Sequence, residues 1–363
     1  VTRVNREELR TALELLRPGL SAQDVTEQST CFLFQKFKTK TGVGYRAVTY
    51  NDETAVWCKS PLQITGAVAA KPLLELLSQL RDEEIDVEVA DNELRIRGKR
   101  GESGITMEAE ISAPLDALER PTEWQPLPEN FCEGIGIVEW CAGKNTDGDQ
   151  FWVECIHIHP KYLEACNTMQ AIRFRTKTPI AEAVMVKRDG LRHLVELGMV
   201  EIAETDTWIH FRNVDRLIVS CRKYEDDYRP LRDILIFEGR EINLPRGLEE
   251  AARRAGIFSN ENKDDPAVVV SLASGKLKIL GQGSSGWYSE RRKLKYTGPD
   301  LTFSIGPKML AEVLKRGGNC ILSNNLLRVD GPNWVFSTCL GMSGDDSDNG
   351  ENDGDGDEGK EEE

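Results

Sequence analysis

Lys71-Pro-Leu-Leu-Glu-Leu-Leu-Ser-Gln-Leu80, Arg188-Asp-Gly-Leu-Arg-His-Leu-Val-Glu-Leu197 and Gly306-Pro-Lys-Met-Leu-Ala-Glu-Val-Leu-Lys315 are three passes over one pattern. Each opens on a turn or cap residue and then sets apolar side chains three and four apart, which puts a stripe on one face of a short helix. Leu74, Leu191 and Leu310 recur at near-equal intervals, the signature of an internal repeat. The segment after each helix repeats as well. Ile85–Val89 turns at Asp91-Asn92 into Leu94–Arg97, Val200–Ala203 turns at Thr205-Asp206 into Trp208–Phe211, and Cys320–Leu322 turns at Asn324-Asn325 into Leu327–Val329. Alternating apolar residues around Asn/Asp turns predict hairpins. Helix followed by hairpin, three times over, predicts an α+β chain of three similar units, each with helices packed on antiparallel sheets.

A second helix is expected to open each unit. Asn5-Arg-Glu-Glu-Leu-Arg-Thr-Ala-Leu-Glu-Leu-Leu16 starts on a good cap and carries a leucine stripe, and Arg246–Ile257 does the same in the third unit. In the middle unit the matching piece, Phe131–Ala142, is the poorest copy. Pro-rich or acidic joints fall at Pro121–Pro128 and Glu238–Pro245, so the domains are placed at 1–127, 128–240 and 241–343, with a tail at 344–363.

Length and composition agree with several cores. The 363 residues exceed one ordinary domain, and 39% hydrophobic with 29% charged residues is usual for a globular chain. No run approaches the roughly 20 apolar residues of a membrane span, and Val1-Thr2-Arg3-Val4 leads into polar sequence without a secretory signal. Nine scattered cysteines without a CxxC pair suit a reducing compartment, so a cytoplasmic protein is expected. The net charge of −15 is concentrated at one end: Gly344–Glu363 holds eleven acidic residues against Lys360, leaving the body near −5. Such a tail buries no apolar surface and reads as a solubilising extension or an interaction tail.

The third unit carries the most specific family likeness. Leu248-Glu-Glu-Ala-Ala-Arg-Arg-Ala-Gly-Ile-Phe-Ser-Asn-Glu261, then Gly275-Lys-Leu-Lys-Ile279, Tyr296-Thr-Gly298, Leu301-Thr-Phe-Ser-Ile305 and Met309–Leu314, come in the same order as in the bacterial DNA polymerase III beta sliding clamp, which this chain resembles over residues 3–342. Asn92-Glu-Leu-Arg-Ile-Arg97 adds a likeness in the first unit. The family's Thr-Asp-Gly-His-Arg-Leu-Ala motif survives only as Thr168, Arg173 and an apolar residue in Thr168–Phe174. Its Pro-Asp-Tyr-Arg segment survives as Asp226-Asp227-Tyr228-Arg229, and its final Met-Pro strand is replaced by Val335–Met342. The resemblance therefore implies a divergent member, phage or plasmid origin being one reading.

A clamp of this family implies a ring of two chains paired head to tail around duplex DNA, without sequence preference, tethering a DNA polymerase after placement by a clamp loader, in the cytoplasm and nucleoid. It implies no catalysis and no cofactor. The ring would join a strand of domain one to one of domain three, with Gly104–Ile111 and Lys276–Leu280 as candidates. Helices facing a polyanion should be basic on one side, which picks out Arg6, Arg10, Arg17, Lys187, Arg188, Arg192, Arg246, Arg253, Arg254, Lys308, Lys315 and Arg316. A solvated helix face is the plainer account of any one of them. The resemblance also implies a partner-peptide pocket between domains two and three, from Thr168, Arg173, Phe174, Tyr228, Leu231, Pro245, Cys339, Leu340 and Met342. Core packing is the alternative for Phe174 and Leu340.

Other signals carry less. Gly281-Gln-Gly-Ser-Ser-Gly286 matches GxGxxG, yet the segment after it reads as a strand, so a hairpin loop is expected. Cys155, His157 and His159 alternate along a probable strand as metal ligands would, but no fourth ligand is in view and a half-exposed strand is expected. The Asp345–Gly350 run has Gly356 where a calcium loop needs a bidentate Glu. Two rivals stand beside the clamp: a clamp-like adaptor that binds a partner without encircling DNA, and an enzyme of nucleic-acid metabolism using the His157 and His159 strand.

Overall fold

The structure is a computed structural model describing residues 1–39, 42–144, 150–225, 228–245, 247–259, 266–316, 319–323 and 325–342. The chain separates into two compact units, Val1–Leu231 and the remainder from Arg232. The first unit opens with strand Thr2–Asn5, antiparallel to Glu84–Ala90, and runs directly into helix α1, Arg6–Glu14. Asn5 caps that helix, its Oδ1 accepting from the N–H groups of Glu7 at 2.9 Å and Glu8 at 3.0 Å. Glu7 and Glu8 place negative charge at the positive end of the helix. Leu9 and Leu13 are buried against helix α2, Ala70–Gln79, which buries Leu73, Leu74 and Leu77 in turn.

The same order recurs. Gln125–Pro126 pairs with Met199–Glu204 and leads to helix α3, Phe131–Val138. In that copy the second helix breaks into two single turns, α4 (Arg188–Leu191) and α5 (Leu194–Leu197), a correction to the continuous helix expected over 188–197. Gly190 sits in the first turn, where a Cβ would come within 2.7 Å of Thr54 Oγ1 and 3.0 Å of Cys221 Sγ. Gly198 closes the second turn at φ 62°, a left-handed cap. The hydrophobic stripe survives because Leu191 and Leu194 both point into the core.

Twelve strands of the first unit form one antiparallel sheet, and its centre is a seam between the first two repeats. Thr54–Lys59 pairs there with Ile218–Arg222, in the register Ile218 to Trp57, Val219 to Val56, Ser220 to Ala55 and Cys221 to Thr54. Asp91 and Asn92 both take positive φ, 53° and 60°, the hairpin geometry their residue types favour. Strand Glu102–Glu108 comes next, paired with Glu93–Arg97 through Thr106 and with Gly66–Ala69 only at Met107 and Glu108. Among the described residues its other side is an open edge over Glu102–Thr106. A second sheet of this unit runs Val184–Lys187, Cys155–His159, Tyr162–Cys166, Gln170–Arg175. Cys155 and His157 are buried, correcting the half-exposed strand expected there.

The second unit begins with the short helix α6, Arg232–Leu235. Glu238–Pro245, expected to be a joint, contains strand Arg240–Asn243 paired with Asn319–Leu322, the third occurrence of the opening strand. Helix α7, Leu248–Ser259, packs against helix α8, Pro307–Arg316. Val268–Ala273, Lys276–Gly283 and Gly286–Lys293 form a meander, with Leu301–Ile305 beyond Val268–Ala273. The GxGxxG segment is thus a hairpin. Gly281 is required for another reason: a Cβ there would stand 2.0 Å from Ala255 O of α7, so the glycine lets helix backbone rest on the sheet. Lys276–Leu280 is paired on both sides and cannot join another chain's sheet, a correction to the expected interface. Gly286–Lys293 is one edge strand of this sheet, and Gly341–Met342 the other among the described residues.

One buried histidine gives the first unit a pH dependence. His210 is 1% exposed, with Nδ1 2.7 Å from Ser220 Oγ and Nε2 3.1 Å from Thr205 Oγ1. Burial pushes its pKa down from 6.5 to about 4, Lys223 adding to the effect and Glu119 opposing it. The unfolded chain therefore binds the proton first as pH falls. The neutral-histidine contribution is complete above pH 6.5 and lost progressively towards about 4, amounting to roughly 3 kcal/mol. Urea unfolding of the wild type and of His210→Asn at pH 7 and pH 4.5 should show the stability gap between them moving by that order, and an unchanged gap would refute the assignment.

Candidate nucleic-acid interface

Helices α1 with α2, α3 with α5, and α7 with α8 form the three helix pairs, and the basic side chains on them divide into two groups. Some are held by the protein itself. Arg6 donates from Nη1 to Leu77 O at 2.9 Å and from Nε to Asp82 O at 3.1 Å, so its charge satisfies the C-terminal end of α2. Lys187 Nζ lies 2.8 Å from Glu53 Oε1 and over the Phe151 ring. Arg188 donates to Ala142 O at 3.2 Å. Arg254 reaches Tyr288 Oη at 2.7 Å and Glu290 at 2.8 Å, an arrangement that holds Glu290's pKa down at about 2 through the Tyr288 and Arg254 hydrogen bonds.

The second group is available to solvent. Arg17 is 61% exposed with one contact to Glu14, Arg192 is half exposed beside Asp189, and Arg253 is 55% exposed with Glu312 at 3.7 Å. Arg10, 33% exposed, belongs with the held group, its Nε and Nη2 donating to Glu7, with Glu14 at 3.9 Å. Lys308 and Lys315 are exposed, with no ion pair among the described residues. Arg246 and the side chain of Arg316 lie outside the described residues. Exposed Lys71, beside Arg17 in a cleft between the ends of α1 and α2, belongs with this group. Sequence reading passed over it because it stands at the turn position of the repeat.

The residues assigned to a peptide pocket divide between the two units. In the first unit Thr168 is exposed in the turn before Gln170–Arg175, where Asn167 Oδ1 accepts from the N–H groups of Met169 and Gln170. Arg173 is paired with buried Glu164 and covers the Tyr162 ring at 4.3 Å. Tyr228 stacks on His157 at 4.6 Å, with Oη 3.0 Å from Cys166 Sγ. Burial pushes the Tyr228 pKa up. Phe174 and Leu231 are core, Phe174 lying so close to Gly134 that a Cβ there would meet its ring at 2.6 Å. In the second unit Pro245 and Cys339 are half-buried, and Leu340 is buried with its N–H donating to Asn325 O at 2.8 Å. Met342 pairs through its backbone with Phe303; its side chain, Asp226, Asp227 and residues 343–363 lie outside the described residues.

The Cys155, His157, His159 strand does not assemble as a metal centre. Burial pushes the Cys155 thiol up to about 12, away from the thiolate a metal takes, and His157 Nδ1 lies 3.4 Å from Glu164. Among the described residues no group of three or more His, Cys, Asp or Glu side chains is placed to hold a metal ion. Nor is any described helix long and apolar enough to cross a membrane.

Comparison with solved structures decides the architecture. The DNA polymerase sliding clamp from Pseudomonas aeruginosa superposes with a TM-score of 0.76 at 16% identity, covering 93% of this chain and 98% of that one. The chain has the sliding-clamp fold. The clamp from Bacillus subtilis gives 0.76 at 14% identity over the same shares, and the DNA polymerase III beta subunit from Thermotoga maritima gives 0.74 at 13%. No family model and no curated protein matches the sequence. The clamp fold accounts for the repeated order of opening strand, helix, meander, helix and hairpin.

Proposed function

We propose that this protein is a sliding clamp: a non-enzymatic, head-to-tail homodimer that encircles duplex DNA and tethers a DNA polymerase after placement by a clamp loader. Three clamp domains with borders near 127/128 and 240/241 would make up each half. The observation that carries the reading is a pair of open sheet edges. Thr54–Lys59, last of the first repeat's meander sheet, is completed by Ile218–Arg222 of the second. Gly286–Lys293 holds the position of Thr54–Lys59 in the third repeat, and Glu102–Glu108 holds that of Ile218–Arg222 in the first. Each copy thus offers one edge that another copy's opposite edge completes, which ring closure would cover. Charge supports the match, since Glu102 and Glu108 lie on one strand and Arg291, Arg292 and Lys293 on the other.

DNA contact is assigned to Arg17, Lys71, Arg192, Arg253, Lys308 and Lys315, through phosphates and without base reading. Arg173 and Tyr228, both of the first unit, remain with the proposed peptide surface. An adaptor that binds partners without encircling DNA is favoured by one observation, the internal commitment of Arg6, Lys187, Arg188 and Arg254. Retention on DNA separates the two readings. Loaded onto a nicked circle by its loader, a clamp stays bound and is released when the circle is cut; a chain that leaves circle and linear DNA equally fast is the adaptor.

A further inference from the structure

We propose that the groove over the seam between the first and second repeats docks an acidic peptide bearing bulky apolar side chains. The groove is a cavity of about 230 Å³ lying wholly within the first unit. Trp57, Trp124, Leu115 and Leu118 form its apolar lining, and Arg46 and Arg120 supply its charge. Arg46 is half-buried. Its Nε and Nη2 both donate to Gln35 Oε1, at 2.9 and 2.7 Å, and its guanidinium lies 5.6 Å from the Trp57 ring centre. No carboxylate among the described residues accepts from it, and Arg120, exposed, has no ion pair among them. Burial, and then the nearby Arg120, push the Arg46 pKa below the usual guanidinium value.

The other charged groups in the groove, Glu119 and Arg212, are hydrogen-bonded within the protein. Glu119 accepts from the Thr207 N–H at 3.0 Å and hydroxyl at 3.1 Å, and Arg212 lies 2.6 Å from Glu201 while covering the Trp124 ring. Two guanidinium groups without a carboxylate partner among the described residues therefore line one cavity, Arg46 having only the neutral Gln35 side-chain carbonyl as its acceptor. A carboxylate is the complement that relieves both their repulsion and the partial desolvation of Arg46. The apolar walls select for more than charge, because aromatic and leucine side chains buried in such a pocket supply most of the affinity of a peptide. The cavity is smaller than the roughly 300–1,000 Å³ of ordinary ligand pockets, which suits one or two side chains of an extended segment. This proposal stands on the seam alone, whether or not the chain encircles DNA.

The test uses the full chain labelled with 5-fluorotryptophan, whose seven tryptophans give separate fluorine signals, those of Trp57 and Trp124 being assigned by Trp57→Phe and Trp124→Phe. The probe is a capped tetrapeptide of two glutamates and two leucines. It should shift both signals saturably. Replacing its glutamates by glutamines, or the protein's Arg46 by glutamine (R46Q), should weaken binding about tenfold or more, the loss expected for a charge-assisted hydrogen bond. Arg120→Gln, at an exposed position that leaves folding intact, should weaken it less, and Arg3→Gln, whose side chain is 71% exposed on the opening strand, should not. No saturable shift at millimolar peptide, or equal binding of the glutamine peptide, overturns the proposal. A synthetic peptide of residues 344–363 that moves the two signals at lower concentration than the tetrapeptide also overturns it, by assigning the groove to the chain's own tail.

Discussion

Trp208→Ala is expected to destabilise the first unit by about 3–5 kcal/mol, the usual cost of truncating a fully buried large aromatic. Trp208 has no exposed surface, and three elements meet on its ring. Its Nε1 donates to Ala117 O at 3.0 Å, which fixes the segment joining the first repeat to the second. Tyr50 lies 6.1 Å away, centre to centre, and Arg222 covers the ring at 5.0 Å while donating to Asp52 O at 2.7 Å. Alanine would leave a cavity beneath the seam, an unpaired Ala117 carbonyl and a guanidinium without its platform. Urea unfolding followed by circular dichroism would measure the cost. A loss below about 1 kcal/mol, in the range of an ordinary surface change, would mean that the joint is held by other contacts. Tyr50→Phe is the comparison: it removes only the hydroxyl bonded to Asp52 at 2.9 Å, for about 1 kcal/mol.

The second large effect concerns assembly. Trp287 is 67% exposed on the edge strand Gly286–Lys293, an unusual place for a tryptophan unless something covers it. Buried aromatic anchors at interfaces commonly contribute about 2 kcal/mol or more, roughly a thirtyfold change in dissociation constant. Proline in the same edge removes a donor that a partner strand needs. A chain carrying Trp287→Asp and Ser289→Pro should therefore sediment at the 40.7 kDa of one copy where the wild type sediments at twice that. Its helix content and unfolding midpoint should stay close to wild type, since the changed strand is an edge. Wild type that is itself monomeric at micromolar concentration, or a double variant that remains dimeric, would remove Gly286–Lys293 from the interface.

The repeat was legible because it rests on local signals. Leucine stripes, the Asn5 cap and the Asp91-Asn92 turn report directly on helix faces and hairpins, and five of the six helices expected lie where those signals put them. Arg188–Leu197 kept the stripe but broke as a helix, because the reason for the break is contact with Thr54 and Cys221 far away in the chain. Edges were illegible for the same cause. Lys276–Leu280 and Gly286–Lys293 are both alternating strands, and only the order of the sheet tells which is inside. Basic residues misled in part: nothing in the sequence near Arg6 or Arg254 says that Leu77 O or Glu290 will claim its guanidinium. The seam groove was missed because Pro121–Pro128 reads as a joint, although a tryptophan within a polar joint, Trp124, was the available hint.

The nine cysteines, none of them in a disulfide, give the molecule a set of internal timers. Cys155, Cys166, Cys221 and Cys320 are buried, and burial pushes each thiol up to about 12, so in the closed protein they are protonated and out of reach of an alkylating reagent. A thiol so placed reacts only when its surroundings open. Cys221 lies on the seam, Cys155 and Cys166 on the neighbouring sheet, and Cys320 beside the third opening strand. Their alkylation rates, read peptide by peptide, would rank the openings of these regions without any engineered label.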